Sequence, residues 1–202
     1  LLLRHLQGRY RHVPDSRGRG NRCRGRLSRI ACVAALLYSV NLWAAESKPS
    51  EFEVKAAFLS NFARFVEWPE GTEQDTLRIC IVGVDPFGNA FQTVLGRSPG
   101  SQPVHVDHLT VDNVLEGSCH ILFVSSSETR KLGEILRRTR SAPMLTVSDV
   151  DGFAKAGGMV GFIIRKNKIR FQINPSAATQ AGLRLSAKLL RLAEIVEDEG
   201  GR

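Results

Sequence analysis

The sequence predicts an α/β domain, with a mostly parallel central sheet, an antiparallel C-terminal hairpin, and helices on both faces. Three observations carry that reading. Short apolar runs alternate with helix-period segments, the pattern of successive strand–helix units. The runs LRICIVG (77–83) and CHILFV (119–124) are apolar but for Arg78 and His120, and short, as buried strands are. Met159–Arg165 and Lys168–Ile173 are separated only by Lys166 and Asn167, the spacing of a tight hairpin.

The first element is a helix. Glu51–Trp68 places Val54, Ala57, Phe58, Phe62, Phe65 and Val66 at three- and four-residue steps, which predicts an amphipathic helix ended by Pro69. Leu77–Gly83 is the first strand of the sheet. Asp85 with Pro86 then reads as a cap and first turn for a helix through Phe91, Val94 and Leu95. Val104–Leu109 and Cys119–Val124 are strands, and Ser125 offers a cap to a helix carrying Leu132, Ile135 and Leu136. Pro143–Val147 is another strand, followed by a turn-rich connection over Ser148–Gly157. After the hairpin, Asn174-Pro175-Ser176 opens a helix. Ser186–Val196 predicts a final amphipathic helix with Leu189, Leu190, Ala193 and Val196 on one face.

The amino-terminal region has a different character. Arg22–Arg29 is basic, Ile30–Val40 is apolar and uncharged, and small residues come next at Ala44 and Ala45, which is the layout of a secretory signal. Residues 1–45 are therefore read as leader and signal peptide, cut after Ala44 or Ala45, with 1–21 an over-extended start. The expectation is a single domain over 46–202. The apolar run is shorter than the ~20 residues a membrane span needs. The chain has 28 Lys+Arg against 20 Asp+Glu, net +8, but nine Arg and one Asp lie in residues 1–45. Residues 46–202 carry 19 charges of each sign, so the composition of the domain gives no ground for nucleic-acid binding.

An export signal places the domain in an oxidising compartment. Beyond the leader the cysteines are Cys80 and Cys119, both beside strand-like runs. They read as a disulfide, the alternative being two buried thiols. Two cysteines lack the close-spaced partners of a metal site. His105 and His108 fall on opposite faces of one strand, which makes them poor joint ligands. No Gly-x-Ser-x-Gly elbow frames Ser125, Ser126 or Ser127, and the segment after Gly83 lacks both the phosphate-loop and the GxGxxG pattern. No catalytic residue, cofactor or metal is expected. Trp68, at a helix end, reads equally as core or interface.

Six strings in order, VKAAFLSNFARFVEWP, RICIVGVDPFG, CHILFVSSSE, PMLTVSD, GFAKAGGMVGFII and KIRFQINPSAATQAGLRLSAKLLRLA, resemble the YfiR family of periplasmic regulators over about Glu53–Val196. The resemblance implies a periplasmic inhibitor and no enzyme. Its partner would be the periplasmic sensory domain of an inner-membrane diguanylate cyclase or a sensor kinase, with lower cyclic di-GMP and less biofilm as the output. An outer-membrane lipoprotein that sequesters the inhibitor, and a homodimer, are further implied partners. Cys80 and Cys119 match the family's disulfide between the first and third strands. A second disulfide of some members would fall at Ala154 and Gly161, neither of which is Cys. The partner-facing patch maps to Val160, Gln172, Ala178 and Val196, a blander set than hot spots usually are. The runner-up expectation is a periplasmic small-molecule-binding protein, because strand ends in such sheets form ligand crevices. A third, a hydrolase using Ser125 or Ser126, has no motif behind it.

Overall fold

The structure is a computed structural model that describes residues 48–70, 75–97, 102–116 and 118–198. The leader and cleavage site expected from the sequence fall outside the described residues. In chain order the elements are α1 (Glu51–Phe62), β1 (Val66–Glu67), β2 (Leu77–Val82), α2 (Ala90–Gly96), β3 (Val104–Leu109) and β4 (Ile121–Val124). Next come α3 (Leu132–Thr139), β5 (Leu145–Ser148), β6 (Val160–Arg165), β7 (Lys168–Ile173), α4 (Pro175–Gln180), β8 (Arg184–Leu185), α5 (Ala187–Leu190) and β9 (Glu194–Ile195). The main sheet has the order β3-β2-β4-β5-β6-β7-β9. It is parallel from β3 to β6, antiparallel between β6 and β7, and parallel again between β7 and β9. β1 and β8 form a separate two-stranded antiparallel ribbon.

Strand alternation divides the apolar residues between two cores. Ile79, Ile81, Ile121, Phe123, Leu145, Val147, Phe162 and Phe171 face one side, where α1, α2, α4 and α5 contribute Leu59, Phe62, Phe91, Ala178 and Leu189. Cys80, Val82, Leu122 and Val124 face the other side, packing with Ile135 of α3 and with Val114, Met144 and Phe153. Both faces of β2 and β4 are thus covered, which is why their sequences are apolar without alternation.

Local signals account for most boundaries. At the start of α1, Ser50 Oγ accepts from the Glu53 N–H and the Glu53 carboxylate accepts from the Ser50 N–H, so two end donors are satisfied reciprocally. Lys166 and Asn167 both adopt positive φ, 49° and 58°, as a two-residue turn between right-twisted strands requires.

Several boundaries differ from the sequence reading. Ser125 caps a 3₁₀ turn over Ser126–Lys131, and α3 itself begins only at Leu132. The first helix ends at Phe62, not Trp68: a 3₁₀ turn over Ala63–Phe65 leads into β1, whose backbone groups pair with β8. The helix expected from Asp85 begins at Ala90. Asp85 Oδ1 accepts instead from the Phe87 N–H at 2.7 Å, which closes a turn and leaves Asn89 as the cap position. The last helix shrinks to Ala187–Leu190, and Glu194–Ile195 becomes the edge strand β9. There β7 offers unpaired backbone groups, and Val196 N–H donates to Ile173 O at 2.9 Å; satisfying them outweighs a helical apolar pattern only one turn longer.

Candidate functional site

α1 carries two different faces. Ala56, Leu59 and Phe62 are fully buried under the helix, whereas Val54, Ala57 and Phe58 are half-buried. The second set lines an open groove of about 490 Å³, with Phe65, Phe171 of β7, Leu189 of α5, Leu192 and Val94 completing its walls. Glu53 and Arg97, 4.0 Å apart, stand at its rim. Phe58 lies 5.5 Å from Phe171 and 6.1 Å from Phe162, ring centre to ring centre, so the aromatic floor of the groove is continuous with the core.

On the buried face, Lys55 is 4% exposed. Its ammonium sits 2.7 Å from Glu51 Oε1 and 2.8 Å from Asp149 Oδ2. Burial pushes the Lys55 pKa down, but the hydrogen bonds to Asp149 and Glu51 outweigh it and hold the group above its ordinary 10.5. A lysine on a core-facing helix position is tolerated because its charge is paired twice.

The four residues of the expected partner patch cluster around β7 and β9. Val160, in β6, is 0% exposed and pairs with Ile173; Ala178, in α4, is 1% exposed. Neither reaches the surface. Gln172 and Val196 are half-buried, and Gln172 Nε2 donates to Glu194 Oε2 at 3.4 Å. Beside them Ile195 is 53% exposed on the sheet edge. Asn174 ties this corner together. It is fully buried, its Oδ1 accepts from the Ala177 N–H at 3.0 Å to cap α4, and its Nδ2 donates to Ala154 O at 3.0 Å and to Asp198.

Cys80 and Cys119 are joined in a disulfide, with Cα atoms 5.8 Å apart, between β2 and the residue just ahead of His120 and β4. Ala154 and Gly161 are neighbours: a Cβ placed on Gly161 would lie 3.7 Å from that of Ala154. The histidines and serines have local structural partners. His105 and His108 sit 3.0 Å from Asp107 and Asp85, and His120 Nδ1 accepts from the Arg78 N–H at 3.0 Å. Ser125 Oγ accepts from the Ser127 N–H at 3.4 Å, while Ser127 Oγ accepts from the Val84 N–H at 2.9 Å. Trp68 is half-buried and packs edge-on against His120 at 5.7 Å. Among the described residues no group of three His, Cys, Asp or Glu could hold a metal ion, and no helix is long and apolar enough to cross a membrane.

The family model described as YfiR/HmsC-like matches residues 52–194. The chain belongs to the YfiR/HmsC-like family. Among solved structures it is similar to a conserved domain protein from Vibrio cholerae O1 biovar El Tor, at 10% identity and TM-score 0.50, over 74% of this chain and 61% of that one. It is also similar to an ABC domain in complex with L-Trp from Streptococcus pneumoniae, at 9% identity and TM-score 0.50, over 70% and 60% of the two chains. The chain thus spans about three-fifths of the length of each, and likenesses at such identities speak to the α/β fold alone.

The groove above α1 is the feature of this YfiR/HmsC-like domain that pattern reading missed. Its signal was present: the helix has more apolar residues than one buried face can absorb, since Val54, Ala57 and Phe58 are apolar as well as Ala56, Leu59 and Phe62. Lys55 masked it by marking the truly buried face as polar.

Proposed function

We propose that this protein is a periplasmic regulator that inhibits a membrane-bound diguanylate cyclase, or a similar sensor, by binding its periplasmic domain and so lowering cyclic di-GMP signalling. The observation that carries the proposal is the family match over residues 52–194. The disulfide between Cys80 and Cys119 fits an oxidising compartment reached through the signal peptide expected at residues 1–45. In this reading the sensory domain contacts Gln172 and Val196 beside exposed Ile195, while Val160 and Ala178 shape the patch from beneath. A sequestering outer-membrane lipoprotein and a second copy of the chain are further partners of the same regulatory scheme. The domain acts by binding and not by catalysis.

Two measurements test it. Deleting the gene raises cellular cyclic di-GMP, and the tagged protein captures a periplasmic sensory domain. Val196→Asp and Gln172→Arg weaken that capture by at least about tenfold, as charge placed in a desolvated contact does, with the melting temperature retained. Unchanged cyclic di-GMP together with no captured cyclase or kinase would overturn the proposal.

A further inference from the structure

The main sheet has two unlike edges. At one end β9 is two residues long; at the other β3 runs for six, Val104–Leu109, in unbroken register with β2. β3 contains no Lys, no Pro and no bulge, devices that commonly keep an edge from pairing. The Leu77 N–H donates to Pro103 O at 2.8 Å, which fixes the phase of the strand. The backbone groups of His105, Asp107 and Leu109 turn toward β2, and those of Val104, Val106 and His108 turn outward. None of these outward N–H and C=O groups has a hydrogen-bond partner among the described residues.

The side chains of β3 divide by face. Val104 and Val106 pack against the core under α1. His105 and Asp107 lie on the other face, 3.0 Å apart, with Asp107 also 3.4 Å from Arg78. An antiparallel copy related by a twofold axis normal to the sheet can meet this edge in three registers that set outward groups opposite outward groups. Their axes pass by Val106, Asp107 or His105. The first joins every outward N–H and C=O group of both strands, and it sets His105 opposite the partner's Asp107 on each side of the axis. The second puts two carboxylates face to face, which is destabilising, and it needs the Thr110 N–H, already donated to Asn113 Oδ1 at 2.7 Å. The third leaves His108 beyond the end of the facing strand.

We propose that the β3 edge is a self-association surface: a second copy of this chain pairs with it antiparallel, centred on Val106, so that one sheet runs through both copies. The occupant is a copy because the edge is complementary to itself, in backbone phase and in charge, in a single register. This rests on the second copy included in the function proposed above and names its surface; it can fail while cyclase binding stands. β3 lies at the opposite end of the sheet from β7 and β9, so the dimer leaves Gln172 and Val196 of both copies free for a sensory domain.

Sedimentation equilibrium of the purified protein, from about 1 μM to about 300 μM, should show a monomer–dimer equilibrium. Val106→Pro removes the N–H groups at the axis and leaves the bonds to β2, as proline at an outward edge position does, and should weaken the dimer at least about tenfold. Because Val106 also touches the core, His105→Asp serves as a second variant. It sets carboxylates opposite the partner's Asp107 and should weaken the dimer about fivefold with an unchanged melting temperature. His105→Asp/Asp107→His restores opposed pairs and should return the affinity to within about twofold of the wild type. A protein monomeric throughout the range, a dimer indifferent to Val106→Pro and His105→Asp, or a double variant no tighter than His105→Asp would each overturn the proposal. A monomeric protein that still captures a sensory domain overturns this inference alone.

Discussion

Removing the Cys80–Cys119 bond tests how this fold is held. The two residues are separated by 39 positions, and in the chain-entropy account closing a loop of that size restricts the unfolded chain by about 4 kcal/mol at 25 °C. The native side does not depend on the bond for its topology. β2 and β4 already pair in parallel register from Ile79↔Ile121 to Val82↔Val124, and both cysteines are buried in a packed core. The effect should therefore be felt almost wholly in the unfolded ensemble. Protein reduced while unfolded and refolded with reductant present keeps every sulfur atom, so it isolates the cross-link. Cys80→Ala/Cys119→Ala adds two small voids, worth a further ~1–2 kcal/mol. In urea titrations the reduced protein should lose about 4 kcal/mol, and its m-value should rise, because an uncross-linked unfolded chain exposes more surface. At ~2–4 °C per kcal/mol for a domain of 150–250 residues, the melting temperature should fall by roughly 8–16 °C. A reduced protein within about 1 kcal/mol of the oxidised one, with the same m-value, would refute the reasoning.

Three further perturbations have defined outcomes. Ala154→Cys/Gly161→Cys should close a second disulfide, because the 3.7 Å Cβ spacing matches the ~3.8 Å typical of such bonds; non-reducing mass spectrometry should show it, with a gain of about 2 kcal/mol in urea. Asn174→Ala should cost roughly 2–4 kcal/mol in the same assay, since it removes the cap of α4 and leaves Ala154 O buried without its donor. Lys55 has a folded pKa above its unfolded value, so its contribution is complete below the unfolded pKa and is lost as pH rises through the folded one. Urea midpoints taken from about pH 9 to about pH 11 should therefore fall more steeply in the wild type than in Lys55→Met, and parallel profiles would contradict the pairing.

The sheet was legible because its signals are local. LRICIVG and CHILFV read as buried strands, and Lys166-Asn167 between two strand-like runs reads as a tight turn, as the structure has them. Two of the misreadings share one cause. Val66–Glu67 and Glu194–Ile195 continue helical periodicity in sequence, yet each meets a backbone edge, β8 or β7, that no local pattern reveals. The same limit hid the sites. Asp149 lies far along the chain from Lys55, and nothing in either neighbourhood says that they pair. Likewise the groove exists because Phe171, Leu189 and Leu192 arrive beside α1 from the far end of the chain.

The positions of the disulfide and of the proposed partner patch constrain how oxidation can matter. β2 sends Cys80 and Val82 to the core under α3, and Ile79 and Ile81 to the core under α1. The groove and the corner built on β7, β9 and α4 draw on the α1 side or on the distal hairpin, while the disulfide lies between β2 and β4 on the other side of the sheet. Breaking it therefore removes no contact that a partner at Gln172 and Val196 would make. What it changes is the free energy of the whole fold. Dependence of regulation on oxidation should accordingly track the fraction of folded protein, and reduced protein held folded, for instance at low temperature, should bind a partner as tightly as oxidised protein does. An affinity loss in fully folded, reduced protein would instead require that the sheet transmit the change from one core to the other.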